Sequence, residues 1–224
     1  MTDLGMSARA AVNGAWSRRL AAVEVLGVYT LLVLYIWWLH FLFSPLWVLL
    51  LAFIIATHVL RSETPRMLGF RLDTHWPCAR AYAPVVLIVA LLLLGLGISL
   101  HTLRDVSPGD VAQIFVGYCG WGTFQQYLLN GYFVNRLLLI TNGSRFAGAV
   151  PLVAGALFSG AHALNPFLMA VTFVAGGIAA AAYMKYRNLY FLGVAHALIG
   201  TLLVLVVPDS ISHHLVVGPA MARS

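Results

Sequence analysis

Charged residues are scarce in this sequence of 224 residues. They make up only 9% of the chain, while hydrophobic residues make up 61%. A soluble domain contains about 25% charged and about 45–50% apolar residues. So few charges cannot cover a surface that faces water, and so apolar a chain is neither disordered nor a coiled coil. The composition therefore predicts an integral membrane protein, for which the lipid bilayer is the first partner.

Cysteine is also rare. Cys78 and Cys119 are the only cysteines, and their separation matches no metal-binding or redox motif, so a disulfide framework is not expected. The net charge is +6, which in a soluble protein would suggest nucleic acid. In a membrane protein, arginines anchor loops at an anionic membrane face. We therefore predict no nucleic-acid partner.

Long apolar segments follow one another along the chain. A membrane-spanning helix needs about 20 mostly apolar residues. The segments that reach or approach this length are 21–43, 45–60, 82–102, 111–140, 146–164, 166–184 and 189–207. We therefore predict an all-α, polytopic membrane helical bundle of seven, or at most eight, transmembrane helices. The first two segments could form one helical hairpin bent at Ser44-Pro45, and the glycines at 117, 120 and 122 favour a kink in the fourth.

The positive charges predict an orientation. If the N-terminus lies inside, eleven of the thirteen Lys and Arg residues fall on the inner side, and only Arg104 and Arg223 fall outside. Because cytoplasmic loops are enriched in these residues, we predict a cytoplasmic N-terminus and an external C-terminus in the cell membrane. The predicted divisions are a cytoplasmic lead at 1–20, amphipathic or disordered; accessory helices at 21–109 with a cytoplasmic loop at 61–81; a helical core at 110–207; and an external tail at 208–224.

Polar residues inside the predicted spans are candidates for function, because such groups are costly in hydrocarbon. Gln125 and Gln126 lie in the middle of a span, and Asn130 follows one helical turn later. His162 and His196 lie among small residues in two later spans. The amides could simply hydrogen-bond to neighbouring helices. Two histidines and a glutamine pair on three spans, however, favour a shared polar site.

Three short motifs occur in order in the second half of the chain. They are Gln125-Gln126-Tyr-Leu-Leu-Asn130, Phe158-Ser-Gly-Ala-His162 and His196-Ala-Leu-Ile-Gly200. Through these motifs, residues 110–205 resemble the CPBP intramembrane protease family, which contains the type II CAAX prenyl endopeptidases and the Abi bacteriocin-immunity proteins. The motifs of that family are Glu-Glu-x-x-x-Arg, Phe-x-x-x-His and His-x-x-x-Asn or Asp.

The resemblance implies a site whose chemistry has changed. It implies that the catalytic positions are Gln125, Gln126, His162 and His196, and that the substrate-binding positions are Asn130, Phe158 and Asn165. In the family, the first glutamate is taken to activate water, and the histidines to bind or stabilise the oxyanion. An amide cannot act as a base. Here Asn130 also replaces the arginine of the first motif, and Gly200 replaces the last Asn or Asp.

No other carboxylate is placed to substitute for the missing pair. Glu24 and Glu63 are the only glutamates, and the five aspartates lie outside the spans or at their ends. Glu24 and His58 lie near span ends, so we expect them at the membrane interface. Two histidines could contribute to a zinc site, but a catalytic zinc ion usually has three protein ligands. With no third ligand apparent, we predict no metal or other cofactor.

Three functions are compatible with these residues. The first is a CAAX-protease-like protein, catalytically impaired or inactive, that binds a membrane peptide, a prenylated protein or a membrane protein partner. The second is an active intramembrane endopeptidase that uses His162 and His196 with assistance from the amides. The third is a small transporter with a histidine relay, although no inverted repeat is visible in the sequence.

Overall fold

The protein is described by a computed structural model that covers residues 3–142 and 144–219, with side chains from residue 17 onward. Its α-helices are α1 (Asp3–Leu34), α2 (His40–Leu42), α3 (Leu46–Leu60), α4 (His75–Ser99), α5 (Pro108–Gln126), α6 (Asn135–Thr141), α7 (Val150–Ala161), α8 (Pro166–Tyr186), α9 (Leu189–Val206) and α10 (Asp209–Ser212). The described residues contain no β-strand, which confirms the all-α prediction.

Four helical stretches are long and apolar enough to cross a membrane. They are Ser17–Leu42, His75–Ser99, Pro166–Tyr186 and Leu189–Val206, and two shorter apolar helices occur at Leu46–Leu60 and Arg145–Ala161. Large apolar side chains on α4 point outward, where Leu91 is 59% and Leu92 is 62% exposed. Such surfaces suit lipid and not water. The chain is therefore a membrane protein built as a helical bundle.

The N-terminal helix extends through the boundary predicted at residue 20. α1 begins at Asp3 and is continued by a π-helical segment, Tyr35–Leu39, and by α2. The chain then turns, and α3 begins at Leu46 directly after Pro45, so the predicted bend at Ser44-Pro45 is present. Proline fits here because the first turn of a helix does not use its backbone N–H groups. The predicted lead at 1–20 is helical from residue 3, and Arg223 lies outside the described residues.

The centre of the bundle is one long helix, which we call the central helix (residues 108–141). It consists of α5, a π-helical segment at Tyr127–Val134 and α6. A capping box formed by Ser107 and Asp110 begins it. Its irregular part starts directly after Gln126, and the helix continues without a break past the glycines where a kink was expected. Short π-helical segments often mark functional sites, and this one adjoins the glutamine pair.

Glycines set the close packing of α9 against the central helix. A side chain at Gly122 would meet the ring of His196, and one at Gly200 would meet the ring of Tyr118, each at 2.7 Å. On the other side of the bundle, a side chain at Gly155 of α7 would meet a backbone oxygen of α8 at 2.5 Å. Small residues let membrane helices approach in this way. α9 thus packs on α4 and α5, α8 packs on α7, and these two groups face each other across a cavity.

Candidate functional site

A cavity of about 590 Å³ lies between the two groups of helices. This volume falls within the range of about 300–1,000 Å³ that is typical of small-molecule sites. Its walls are mainly apolar and come from α4, α5, α7, α8 and α9. Val85 and Val89 of α4 and Val174 and Ile178 of α8 line it and are 38–59% exposed. The cavity therefore opens toward the surroundings of the bundle between α4 and α8.

The four residues predicted to hold the catalytic positions line this cavity together. Gln125 and Gln126 come from the end of α5, His162 follows α7, and His196 lies in α9. Phe158 lines the cavity as well. Its ring centroid lies 4.9 Å from that of His162 and 6.3 Å from that of His196. The folded chain thus brings side chains from all three motifs to one cavity.

A chain of hydrogen bonds fixes the proton position on His196. The Nδ2 atom of Asn130 donates to Oε1 of Gln126 at 2.7 Å, and Nε2 of Gln126 lies 3.2 Å from Nδ1 of His196. Because an amide nitrogen only donates, Nδ1 of His196 accepts. The proton of the neutral ring therefore resides on Nε2. His196 enters the site as a hydrogen-bond donor.

His162 has the opposite arrangement. Its Nδ1 atom lies 2.7 Å from the backbone oxygen of Phe158. A carbonyl oxygen only accepts, so Nδ1 carries the proton, and Nε2 of the neutral ring is left as an acceptor. The two histidines of the cavity therefore have complementary roles, one as donor and the other as acceptor.

The remaining predicted residues differ in their exposure to the cavity. Gln125 lines it, and no described residue hydrogen-bonds to its amide. Asn130 is fully buried behind Gln126. Asn165 does not line the cavity either, since its Oδ1 atom caps α8 through the N–H of Leu168 and its Nδ2 atom donates to two backbone oxygens of the C-terminal segment. Asn130 and Asn165 thus hold their neighbours in place and do not face the site.

Tyr118 is a cavity residue that the motifs did not reveal. Its ring packs against Gly200 and forms part of the wall. Gly200 stands where the related family has Asn or Asp, so the missing side chain leaves the space that the tyrosine ring fills. In the sequence, only the glycine at 200 indicates this packing, because a glycine lets a side chain of another helix approach closely.

A buried ion network lies outside the cavity. It consists of Glu24, His58, Arg61, Glu63 and Arg136. Nε of Arg136 lies 2.5 Å from Glu24 and its Nη1 lies 2.6 Å from Glu63, while the arginine itself has no exposed surface. Arg61 donates to both oxygens of Glu24 at 3.0 and 3.1 Å. A buried arginine needs such paired carboxylates, because an unpaired charge in the interior is strongly destabilising.

The ion network reaches the site through one tyrosine. His58 lies 2.6 Å from Glu63 through Nδ1 and 2.9 Å from the hydroxyl of Tyr127 through Nε2. Tyr127 follows Gln126 directly in the chain. Glu24 and His58 are thus buried in the protein through their contacts with Arg136 and Glu63. Sequence reasoning missed this network because its members come from separate segments.

The cavity itself contains no formal charge among the residues that the structure describes. Its lining includes no Asp, Glu, Lys or Arg. Both glutamates belong to the ion network, and Asp73, Asp110 and Asp209 are engaged by Arg71, Ser107 and Arg104. Within the described ranges, no group of three His, Cys, Asp or Glu residues is arranged to hold a metal ion. The site thus offers amides, imidazoles and apolar surface.

Comparison with known proteins gives one family. Residues 107–202 match a family model described as type II CAAX prenyl endopeptidase Rce1-like. This match confirms the family predicted from the three motifs and covers nearly the same residues. No curated protein and no solved structure matches the chain.

Proposed function

Because residues 107–202 match the Rce1-like family model of type II CAAX prenyl endopeptidases, we propose that the protein binds a lipidated or membrane-embedded peptide in its cavity without cleaving it rapidly. The observation that carries this proposal is the absence of any carboxylate from the described lining of the cavity. Hydrolysis by the family's mechanism needs a group that takes a proton from water. Gln125 and Gln126 lack that capacity.

The glutamates elsewhere in the chain support the same conclusion. Glu24 and Glu63 each bind Arg136, and the carboxylate of Glu63 also bonds to His58. Against the opposing effect of burial, hydrogen bonds from His58 and Arg136 lower the pKa of Glu63 to about 2 and make its carboxylate a weak base. Moving either glutamate into the cavity would remove one of the two carboxylate partners of the buried Arg136.

The walls of the cavity indicate the chemistry of the occupant. They are mostly aliphatic and aromatic, with the free amide of Gln125 and two histidines at one place. An apolar chain would contact the walls, and a peptide group beside it could hydrogen-bond to Gln125 and His196. A prenylated peptide or a segment of a membrane protein has both features, so these are the substrate or partner classes that we propose.

A second function is favoured by the complementary histidines. Nε2 of His162 could accept a proton from water while the water oxygen attacks a peptide carbonyl carbon, and the N–H of His196 could donate to the resulting oxyanion. The same proton would then pass from His162 to the leaving amine. This arrangement would make the protein a histidine-based intramembrane endopeptidase, with Gln126 and Asn130 holding His196 in its donor form.

The two functions are separated by turnover of a prenylated or transmembrane peptide by the purified protein. We expect saturable binding and no cleavage above background, because general acid–base catalysis supplies about 10²–10⁴-fold and a lost oxyanion donor removes about 10²–10³-fold. The matched variants are His162→Ala and His40→Ala, since His40 does not line the cavity. Robust turnover that is lost in His162→Ala and kept in His40→Ala would establish the histidine mechanism and overturn the first proposal.

We also propose that the chain crosses the membrane seven times. Connections that should lie on one side of such a bundle contact each other. The N–H of Leu189 donates to the backbone oxygen of Gly69 at 2.8 Å, near the start of α9. At the opposite end, the N–H of Arg104 donates to Leu205 at 2.9 Å, and that of Gly218 donates to Ala163 at 3.1 Å. Contacts between these connections at the two ends of the bundle support an odd number of crossings, with the N- and C-termini on opposite sides.

A further inference from the structure

The C-terminal segment, residues 208–219, folds back over one end of the cavity. α9 ends at Val206, and the chain then forms α10 and a 3₁₀ turn at His213–Leu215. The side chain of Leu215 lines the cavity, as do His162 and Leu168 at the same end of α7 and α8. One residue from outside the helical bundle thus completes the wall.

Asn165 holds this segment in place. Its Nδ2 atom donates to the backbone oxygens of Ser212 at 2.9 Å and Val216 at 3.0 Å, which flank Leu215 on both sides. Asn165 is fully buried. A further bond, from the N–H of Gly218 to Ala163, closes the segment onto the same turn. These contacts fasten the segment to the connection between α7 and α8.

The conformation of the segment depends on these bonds. His213, His214 and Leu215 have φ values of 49°, 54° and 56°. Residues with a side chain rarely adopt this left-handed region, and bulky ones persist there only when the surroundings impose it. Three in succession indicate that tertiary contacts, among them those of Asn165 and Gly218, place Leu215 in the wall and that local preference does not.

We infer that Leu215 forms an end wall of the cavity and limits the length of the apolar chain that the cavity accepts, with Asn165 as the residue that positions it. The inference rests on the proposed function, because it concerns the occupant of the same cavity. A shorter side chain at 215 lengthens the cavity at that end. Release of the segment from Asn165 has the same effect.

The test is the binding of one fluorescent peptide that carries a geranyl, farnesyl or geranylgeranyl thioether, measured with the full-length protein in detergent. The variants are Leu215→Ala and Ile211→Ala, which remove the same number of carbon atoms from the same segment. Ile211 is 53% exposed and does not line the cavity. We expect Leu215→Ala to shift the preference toward the longest chain by about tenfold, and Ile211→Ala to behave as the wild type.

A second variant tests the positioning role. Asn165→Ser keeps an oxygen that can cap α8 but loses both bonds to the segment. We expect faster hydrogen exchange over residues 209–219 and the same shift toward longer chains as in Leu215→Ala. This variant also replaces Leu215→Ala as the test if the alanine variant does not fold.

The outcomes separate the two proposals. If no chain of any length binds to the wild type, the proposed function fails. If all three bind but Leu215→Ala and Asn165→Ser keep the wild-type preference, the end-wall inference fails and the binding function stands. A shift in Leu215→Ala without a shift in Ile211→Ala supports the inference.

Discussion

Position 200 shows how one missing side chain shapes the site. Gly200 has no atom beyond Cα, and the ring of Tyr118 occupies the space beside it and lines the cavity. Restoring a side chain at 200 would therefore displace the tyrosine. For the same reason, an Asn at 200 would have to displace Tyr118 before it could reach the position that the family motif gives it.

This packing predicts the effect of adding a single methyl group. Gly200→Ala should destabilise the protein by about 1–3 kcal/mol, the usual effect of overpacking, because the new Cβ atom would lie 2.7 Å from the Tyr118 ring. Gly120→Ala is the matched control, since nothing lies within 4 Å of its Cβ position, and helix propensity predicts a change of at most about 1 kcal/mol in the stabilising direction. Thermal unfolding in detergent measures both.

The double variant completes this test. Tyr118→Ala opens the space that the new methyl group needs, so Gly200→Ala should have little effect in the Tyr118→Ala background. Residues in contact typically couple by about 0.5–3 kcal/mol. Additive effects of the two substitutions would show that Tyr118 and Gly200 are not packed together.

On the scale of elements, the ion network joins segments that also share a buried apolar cluster. Glu24 belongs to α1, His58 to α3, Glu63 to the loop after α3, and Arg136 to α6. Removal of one partner from a buried pair costs about 3–5 kcal/mol, because the other charge remains uncompensated. The network therefore fixes the N-terminal helices against the central helix at the end where Tyr127 meets the glutamine pair.

The network predicts a loss of stability in acid. Burial alone would raise the pKa of Glu63, but hydrogen bonds from His58 and Arg136 and their charges outweigh it and lower this pKa to about 2. An unfolded glutamate has a pKa of about 4.3. Because the folded pKa is the lower one, Glu63 stabilises the fold above about pH 4.3 and loses this contribution as the pH falls toward about 2.

Thermal unfolding across this pH range, in detergent, measures the effect. The melting temperature of the wild type should fall between about pH 4.3 and pH 2. Glu63→Gln should be less stable at neutral pH and should show a smaller fall in that range. Asp105→Asn, which removes an exposed carboxylate from the loop between α4 and α5, should keep the wild-type profile. Equal profiles for all three proteins would contradict the stabilising role of Glu63.

On the scale of the whole molecule, the basic residues gather at one end of the bundle. Arg61, Arg66 and Arg71 lie in the connection between α3 and α4, and Lys185 and Arg187 lie where α8 ends. Arg104 lies at the other end, where it pairs with Asp209. The proposed topology places this basic end on the cytoplasmic side, because cytoplasmic loops of membrane proteins are enriched in Arg and Lys.

The proposed topology predicts which cysteines a membrane-impermeant maleimide reaches in intact cells. In a background of Cys78→Ala and Cys119→Ala, Ser210→Cys should react from outside, and Leu72→Cys should react only after the membrane is permeabilised. Leu72 and Ser210 are both exposed on the protein. Only the membrane should therefore keep the maleimide from a cysteine at either position. Reaction of Leu72→Cys but not Ser210→Cys would indicate the inverse orientation. Reaction of both from outside would contradict the odd number of crossings that the topology places between these two positions.

The sequence by itself determined the class of the protein and the positions of its motifs. Scarcity of charge is a property of the whole chain, and it requires that lipid surround the protein whatever its fold. The motif residues Gln125, Gln126, His162 and His196 could be chosen because polar groups in apolar spans are few, and the cavity brings all four together. Helix positions followed from apolar length, apart from the ends of individual helices.

Only the tertiary structure decided which partners the polar residues have. Arg136 is 112 residues away from Glu24 and 73 from Glu63, and no local pattern connects them. Tyr118 fills the space beside Gly200, and Asn165 places Leu215, for the same reason: these contacts depend on which helices pack together. Hydropathy describes the burial of each segment separately. Pairing of buried charges and filling of space are set by the packing of distant segments against each other.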